Sequence, residues 1–500
     1  MTTETLAPTI VAGAAVVVLA VVGVRFAGRL GIPGLLIYLL IGLALGTFFS
    51  VDIRDVELAT VVGSAALIVI LAHGGLTTPW ERLRPVLWPS VVLATVGVAV
   101  SILVVALPLI WLAGLDTRLA LLLSAALAAT DAAAVFSVLR RTSIVPRVRT
   151  LLEGESGFND APVVVFITSI TAGAGALITW QLPLVVLAEL IGGAAVGLAI
   201  GFGTRWLMPR LALPSAGLYP IAVVTMLFAA YGVADVLHAS GFLAVYVAGL
   251  VVGSSKSLPH RRAVKGFTDG LSWAAEIGLF IMLGLLVDPQ RLPQALGVAL
   301  VATVALLLLG RPLAAVVSLV PFRWPARQVG FVSVSGLRGA VPIVFAAIPL
   351  GLGIPGSEIV FDATFIVVLI LTLVQTPAIP WLSRVFRVNV APEPGELDVD
   401  SAPLDGMRAL VLGLEVPADS RLVGVYVREL GLPEGSVVSL VIRDDVAIVP
   451  DSETRLRSRD GLVVVTTEDG RRATEERLRA LSRRGRLARW LGDSGQDPAA

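Results

Sequence analysis

The chain has 500 residues, of which 56% are hydrophobic and only 15% charged, with a formal net charge of +1. A soluble globular chain carries about 25% charged residues; here the shortfall lies before residue 390, so a membrane domain followed by a soluble tail is expected. The absence of cysteine excludes disulfides and thiolate metal sites, the three scattered histidines (His73, His238, His260) suggest no metal site, and the net charge gives no indication of a nucleic acid partner.

The first residues, MTTETLAPTIVAG, lack a basic n-region and include Glu4, so the first apolar run reads as a retained span rather than a cleaved signal. A membrane helix needs about 20 apolar residues. On that basis thirteen spans are expected, at roughly 7–27, 32–50, 57–76, 86–112, 117–140, 152–176, 182–208, 214–236, 240–254, 267–287, 292–320, 327–351 and 359–385. Basic residues follow the odd-numbered spans: Arg25 and Arg29, Arg82 and Arg84, Arg140 to Arg149, Arg205 and Arg210, Lys256 to Lys265, Arg323 and Arg327, Arg384 and Arg387. The positive-inside rule then puts the N-terminus outside and the C-terminus in the cytoplasm of a multi-pass cell-membrane protein. The boundary at Arg311-Pro312 is the least regular.

Ionisable residues inside a span are costly to insert, and each is a functional candidate. The fifth span contains AALAATDAAAVFSVL, where Thr130 and Asp131 interrupt a charge-free helix. A helix broken at mid-membrane frees carbonyls and half-helix ends that bind ions. The sixth span opens LLEGESGFNDAPVVVF. Ser156 and Asp160, four apart, share one helix face, and Glu155 and Asn159 share the adjacent one. A carboxylate beside a hydroxyl offers hard oxygen ligands to an alkali cation, and the same carboxylate can take a proton instead. Competition for one group is sufficient for exchange. As the bland alternative, Glu155 belongs to a loop and helix cap. In the tenth span Glu276 lines the ion path or pairs at an interface. The twelfth reads VSVSGLRGAVPIVF, with Gly336, Gly339 and Pro342 weakening the helix around Arg338. A buried guanidinium needs a partner, and Glu155 is the candidate, in a structural rather than ion-binding role. The two interrupted helices lie seven spans apart, as in an inverted repeat crossing at the site. Asp235 and His238 flank an outer loop, and Glu189 reads as interfacial.

Residues 389–404 are rich in Pro, Asp and Glu and read as a linker. Then the period changes to two: MRALVLGLEV, SVVSLVIRDDVAIV and GLVVVTT read as strands, with RLVGVYVREL a short helix, giving a small cytosolic α+β unit over 405–470. Residues 471–500 form a basic helical tail with Leu478, Leu481, Leu487 and Trp490 available for an apolar face. It packs on that unit or lies on anionic lipid.

Four motifs, GESGFNDAPVVVF, ATDAAAVF, SGFLAVYVAGLVVG and SGLRGAVPI, together resemble the NhaP-type branch of the cation:proton antiporters over residues 7–385. The resemblance implies an all-α polytopic membrane fold with inverted repeats and two crossed interrupted helices. It also implies a homodimer with a mobile six-helix core, and a transporter rather than an enzyme. Asp160 matches the family's cation- and proton-binding aspartate. Asn159 matches the asparagine that marks the electroneutral branch. Thr130, Asp131, Glu155 and Ser156 match positions that help form the ion site, and Arg338 matches the arginine that pairs with the glutamate at Glu155. The tail resembles the C-terminal (TrkA-C) subdomain of RCK modules over roughly 405–467, which regulate potassium transport and sometimes bind nucleotides. No GxGxxG precedes it, which counts against a nucleotide here. The expectation is an electroneutral K+/H+ antiporter over 1–388, regulated by its tail, with no cofactor. Na+/H+ exchange on the same fold is the alternative. An RCK-gated channel is the other class, and the TVGYG-like filter of such channels is missing.

Overall fold

The computed structural model of the protein describes residues 3–30, 34–48, 56–131, 134–135, 138–139, 142, 144–172, 182–211, 213–255, 258–389, 399–404, 409–444, 446–467 and 470–488. The loop residues Arg140, Arg141 and Lys256, residues 390–398 of the expected linker, and Trp490 lie outside the described residues. The chain divides into two compact units, Met1–Asn389 and Val390–Ala500.

The first unit is helical. It contains α1 (Thr3–Leu30), α2 (Gly34–Phe48), α3 (Val56–Thr77), α4 (Trp80–Trp111), α5 (Thr117–Ala128), α6 (Pro146–Phe158), α7 (Asp160–Ala172) and α8 (Leu182–Leu207). There follow α9 (Leu218–Val236), α10 (Gly241–Gly253), α11 (Arg261–Leu286), α12 (Leu292–Phe322), α13 (Ala326–Val334), α14 (Ala340–Gly351) and α15 (Ser357–Val385). Each of the thirteen expected spans has a helical counterpart, with α6–α7 and α13–α14 each divided in two. By length and composition, 7 of the helices among the described residues can cross a membrane unaided. The shorter α5, α10 and α14 are apolar as well. In α5 and α14 the shortness reflects interruption, since each stops at or begins from a break in mid-sequence.

Packing sorts the helices into two groups. In one, α4, α5, α7, α12, α14 and α15 pack mainly on one another, with α6 and α13 joining them. In the other, α2, α3, α8, α9, α10 and α11 do so. Where helices lack a hydrophobic drive to associate, small residues let backbones approach. Gly75 shows this at the crossing of α3 and α10: a Cβ there would lie 2.5 Å from the Tyr246 carbonyl oxygen. The first group carries the repeat expected from the sequence. Helices α4 and α12, seven spans apart, each contain one wide π-type turn, Leu93–Gly97 and Leu306–Gly310. The breaks after α5 and between α13 and α14 are again seven spans apart.

The second unit holds a five-stranded antiparallel sheet of β1 (Val399–Leu404), β2 (Ala409–Glu415), β3 (Val437–Arg443), β4 (Val446–Ile448) and β5 (Gly461–Thr467), in the order β1-β2-β5-β3-β4. Alternation buries Leu412, Leu414, Leu462, Val464 and Val441 on one face, together with Leu478 and Leu481 of α16 (Arg471–Arg484). Two sequence expectations change here. The stretch read as linker contains β1, an edge strand whose Pro403 is tolerated because only one side of an edge strand is paired. The stretch RLVGVYVREL forms only a short 3-10 turn, Val427–Leu430, closed by the left-handed Gly431. Asp460 is buried and accepts from Arg443 Nε (2.9 Å), Arg443 Nη2 (2.8 Å) and the Arg457 backbone N–H (2.7 Å). Burial raises its carboxyl, but these hydrogen bonds and the charges of Arg443 and Arg457 outweigh burial and hold it below the usual carboxylate range.

Candidate ion-binding site

Helix α5 ends at Ala128, where Ala129 turns to extended backbone (φ −63, ψ 141). The backbone N–H of Val135 then donates to the Asp131 carbonyl at 2.9 Å, restarting a helical turn. Residues 335–339 interrupt the other helix between α13 and α14. Each break leaves orphan carbonyls behind it and orphan N–H groups ahead. The two breaks satisfy one another. Arg338 Nε donates to the Leu127 carbonyl at the end of α5 (2.7 Å). Asp131 Oδ2 accepts from Ala340 N at the start of α14 (2.8 Å), and the Asp131 N–H donates to the Leu337 carbonyl (3.1 Å). A cation thus sits at a helix C-terminus and an anion at a helix N-terminus, each complementing the local dipole. Gly339 is obligatory at this contact, because a Cβ would collide with the Asp131 carboxylate.

Around this crossing the sixth span brings its polar residues. Asn159 is the C-cap of α6, and its own N–H donates to the Glu155 carbonyl (2.9 Å). Asn159 Nδ2 donates to Thr130 Oγ1 (2.6 Å), and Thr130 Oγ1 and Ser156 Oγ share a hydrogen bond of 2.8 Å. These contacts tie the α6–α7 junction to the α5 break. Thr130, Ser156, Asn159 and Asp160 are all buried. Among the described residues, neither carboxylate oxygen of Asp160 has a hydrogen-bond partner, nor has Asn159 Oδ1. Three buried oxygens on adjacent residues are therefore left over at the first turn of α7.

One expected pairing is corrected. Glu155 is held not by Arg338 but by Arg311, whose Nη1 and Nη2 both donate to the carboxylate, the latter at 2.7 Å. Arg338 is instead committed to the end of α5. Arg311 also donates through Nε to the Val332 carbonyl (3.3 Å), so it braces α6 against α13. From the sequence Arg311 registered only as an irregular boundary. The signal available was a lone arginine inside LLLLGRPLAAVVSL, an apolar run too long to end there. Asp131, grouped with the cation-binding residues in the sequence, is placed at helix caps: besides Ala340 N, it accepts from Ala134 N through Oδ1 (3.4 Å). Glu276 is buried on α11, whose neighbours include α2 and α3. Glu189 is half-buried on α8, and Asp235 and His238 lie at the turn ending α9, where His238 adopts a left-handed backbone (φ 53).

Residues 16–385 match the family described as sodium/hydrogen exchanger, transmembrane, and residues 411–479 match the TrkA-C domain. The K(+)/H(+) antiporter NhaP2 of Shewanella baltica (strain OS223) is 33% identical over 479 residues, covering 93% of this chain and 82% of that protein. The K(+)/H(+) antiporter NhaP of Alkalimonas amylolytica is 35% identical over 458 residues, covering 89% and 79%. The solved structure of the sodium proton antiporter MjNhaP1 from Methanocaldococcus jannaschii at pH 8 has the same fold, with a TM-score of 0.68 at 22% identity over 76% of this chain and 98% of that one.

Proposed function

Because this chain belongs to the sodium/hydrogen exchanger family of membrane cation:proton antiporters, we propose that it exchanges K+ for H+, one for one, at Asp160. The observation that carries the reading is a buried carboxylate with no protein partner among the described residues. An uncompensated charge in a low-dielectric interior is strongly unfavourable. Two events relieve it: protonation, or binding of a monovalent cation. The two exclude each other, and each brings one positive charge, so a cycle that carries K+ one way and H+ the other moves no net charge.

The neighbouring acids are engaged elsewhere. Glu155 is neutralised by Arg311 and Asp131 caps α14. Asn159 is neutral and adds an oxygen without adding a charge. Potassium is favoured over sodium by the K(+)/H(+) activity in the names of relatives that align over most of this chain, and by the TrkA-C domain that follows the membrane unit. Regulation by that domain, a homodimeric assembly, and an outside N-terminus with a cytoplasmic C-terminus complete the reading. Everted vesicles containing the protein, loaded with a pH-sensitive dye, should dequench on addition of K+. A response to Na+ alone would instead make it a sodium exchanger.

A further inference from the structure

A helix interrupted within a membrane leaves carbonyls that must either bind an ion or be satisfied by protein. Around the α13–α14 break, donors from neighbouring elements reach four carbonyls, two in the last turn of α13 and two in the break itself. Arg311 Nε takes Val332 O and the Asp131 N–H takes Leu337 O. Two more donors come from α15: Gln375 Nε2 reaches Val334 O at 2.8 Å, and Thr372 Oγ1 reaches Arg338 O at 3.1 Å. Thr372 and Gln375 are three apart, so they share one face of α15, and both are buried.

The Thr372 contact departs from the habit of this protein. A helical threonine commonly bonds back to the carbonyl four residues earlier in its own helix. Thr364 on the same helix does this to Val360 (2.7 Å), as do Thr303 to Ala299 and Thr268 to Val264. Thr372 instead reaches across to the break between α13 and α14, and the atom it reaches belongs to Arg338, the residue that caps α5.

We propose that Thr372 and Gln375 are positioning residues for exchange. By occupying the Arg338 carbonyl in the break and the Val334 carbonyl at the end of α13, they keep those two oxygens out of the cation's ligand set. They also anchor the Arg338 backbone, so that its guanidinium stays on Leu127. The cation is met by the side-chain oxygens of Asp160 and Asn159, which have no hydrogen-bond partner among the described residues. The inference rests on the exchange reading above. Without Thr372 the Arg338 carbonyl loses its donor, and a buried positive side chain gains freedom beside a site that must attract a cation. Cation binding weakens as a result.

The test uses the full chain purified and reconstituted, with exchange expressed per folded molecule. Thr372→Val, which keeps the shape and removes the donor, should raise the K+ concentration for half-maximal exchange about tenfold, the scale of one buried hydrogen bond, with a smaller change in maximal rate. Gln375→Met should act in the same direction and serves alone if the valine variant does not fold. Thr372→Ser should restore the wild-type value. The midpoint of K+-dependent thermal stabilisation, which needs no transport, should move with it. Unchanged half-maximal K+ in both variants, or a serine variant as poor as valine, would overturn the proposal while wild-type exchange stands. Absence of K+-dependent exchange and stabilisation in the wild type would instead overturn the exchange reading and this proposal with it.

Discussion

Arg311 holds the Glu155 carboxylate through both terminal nitrogens, and both side chains are buried within the helical unit. The pair fastens α12 to α6, one turn before the Asn159–Asp160 junction. Removing one member of a buried pair leaves an uncompensated charge, at a cost of about 3–5 kcal/mol. Arg311→Met should therefore lower the thermal unfolding temperature of the detergent-solubilised protein sharply. The double variant Glu155→Leu with Arg311→Met should regain most of the loss. Equal destabilisation in the single and double variants would count against the pairing.

Asp131 gives a test of role against position. If it caps α14, Asp131→Asn retains an acceptor for the Ala340 N–H and should keep K+-dependent exchange. Asp131→Ala loses the cap and should destabilise by about 0.5–2 kcal/mol. Loss of K+ binding in the asparagine variant, with normal folding, would make Asp131 a ligand instead.

Gly339→Ala places a methyl group against the Asp131 carboxylate. The crossing cannot close around it, and exchange per folded molecule should fall at least about tenfold, as expected when site geometry shifts by around 1 Å. Gly203, where a Cβ meets nothing within 4 Å, is the control: Gly203→Ala should transport normally.

Much of this site was legible from residue types. Thr130, Ser156, Asn159 and Asp160 stand out because polar groups are conspicuous in apolar spans, and the structure brings the first three into one hydrogen-bonded cluster next to the fourth. Arg311 was hidden by its setting, since an arginine beside a proline in a long apolar run looks like a helix boundary. Thr372 and Gln375 gave no signal at all. Neutral residues in a hydrophobic helix are common, and only the direction of their side chains separates a back-bonded threonine from one that reaches another segment. The first strand of the tail was obscured by Asp400 and Pro403, residues that disfavour strands everywhere except at a sheet edge.

The tail carries its own pH dependence. Asp460 is held below the usual carboxylate range by Arg443 and Arg457. The unfolded chain takes up its proton near pH 3.9, so the stabilisation is complete above that pH and is lost as pH falls further through the folded-state value. Hydrogen-exchange protection across residues 409–467 of the full protein, taken relative to the intrinsic amide rate at each pH, should be high at neutral pH and fall in strong acid. Asp460→Asn should be less protected at neutral pH and lose that acid step.

Under the proposed mechanism, the Asp160 carboxylate alternates between a proton and a cation. K+-driven proton movement in proteoliposomes, compared between the wild type and Asp160→Asn, tests it most directly. The asparagine variant should fold, keep its oligomeric state, and show no K+-dependent pH change. Exchange by that variant at the wild-type rate would contradict the claim and move the site elsewhere in the membrane unit.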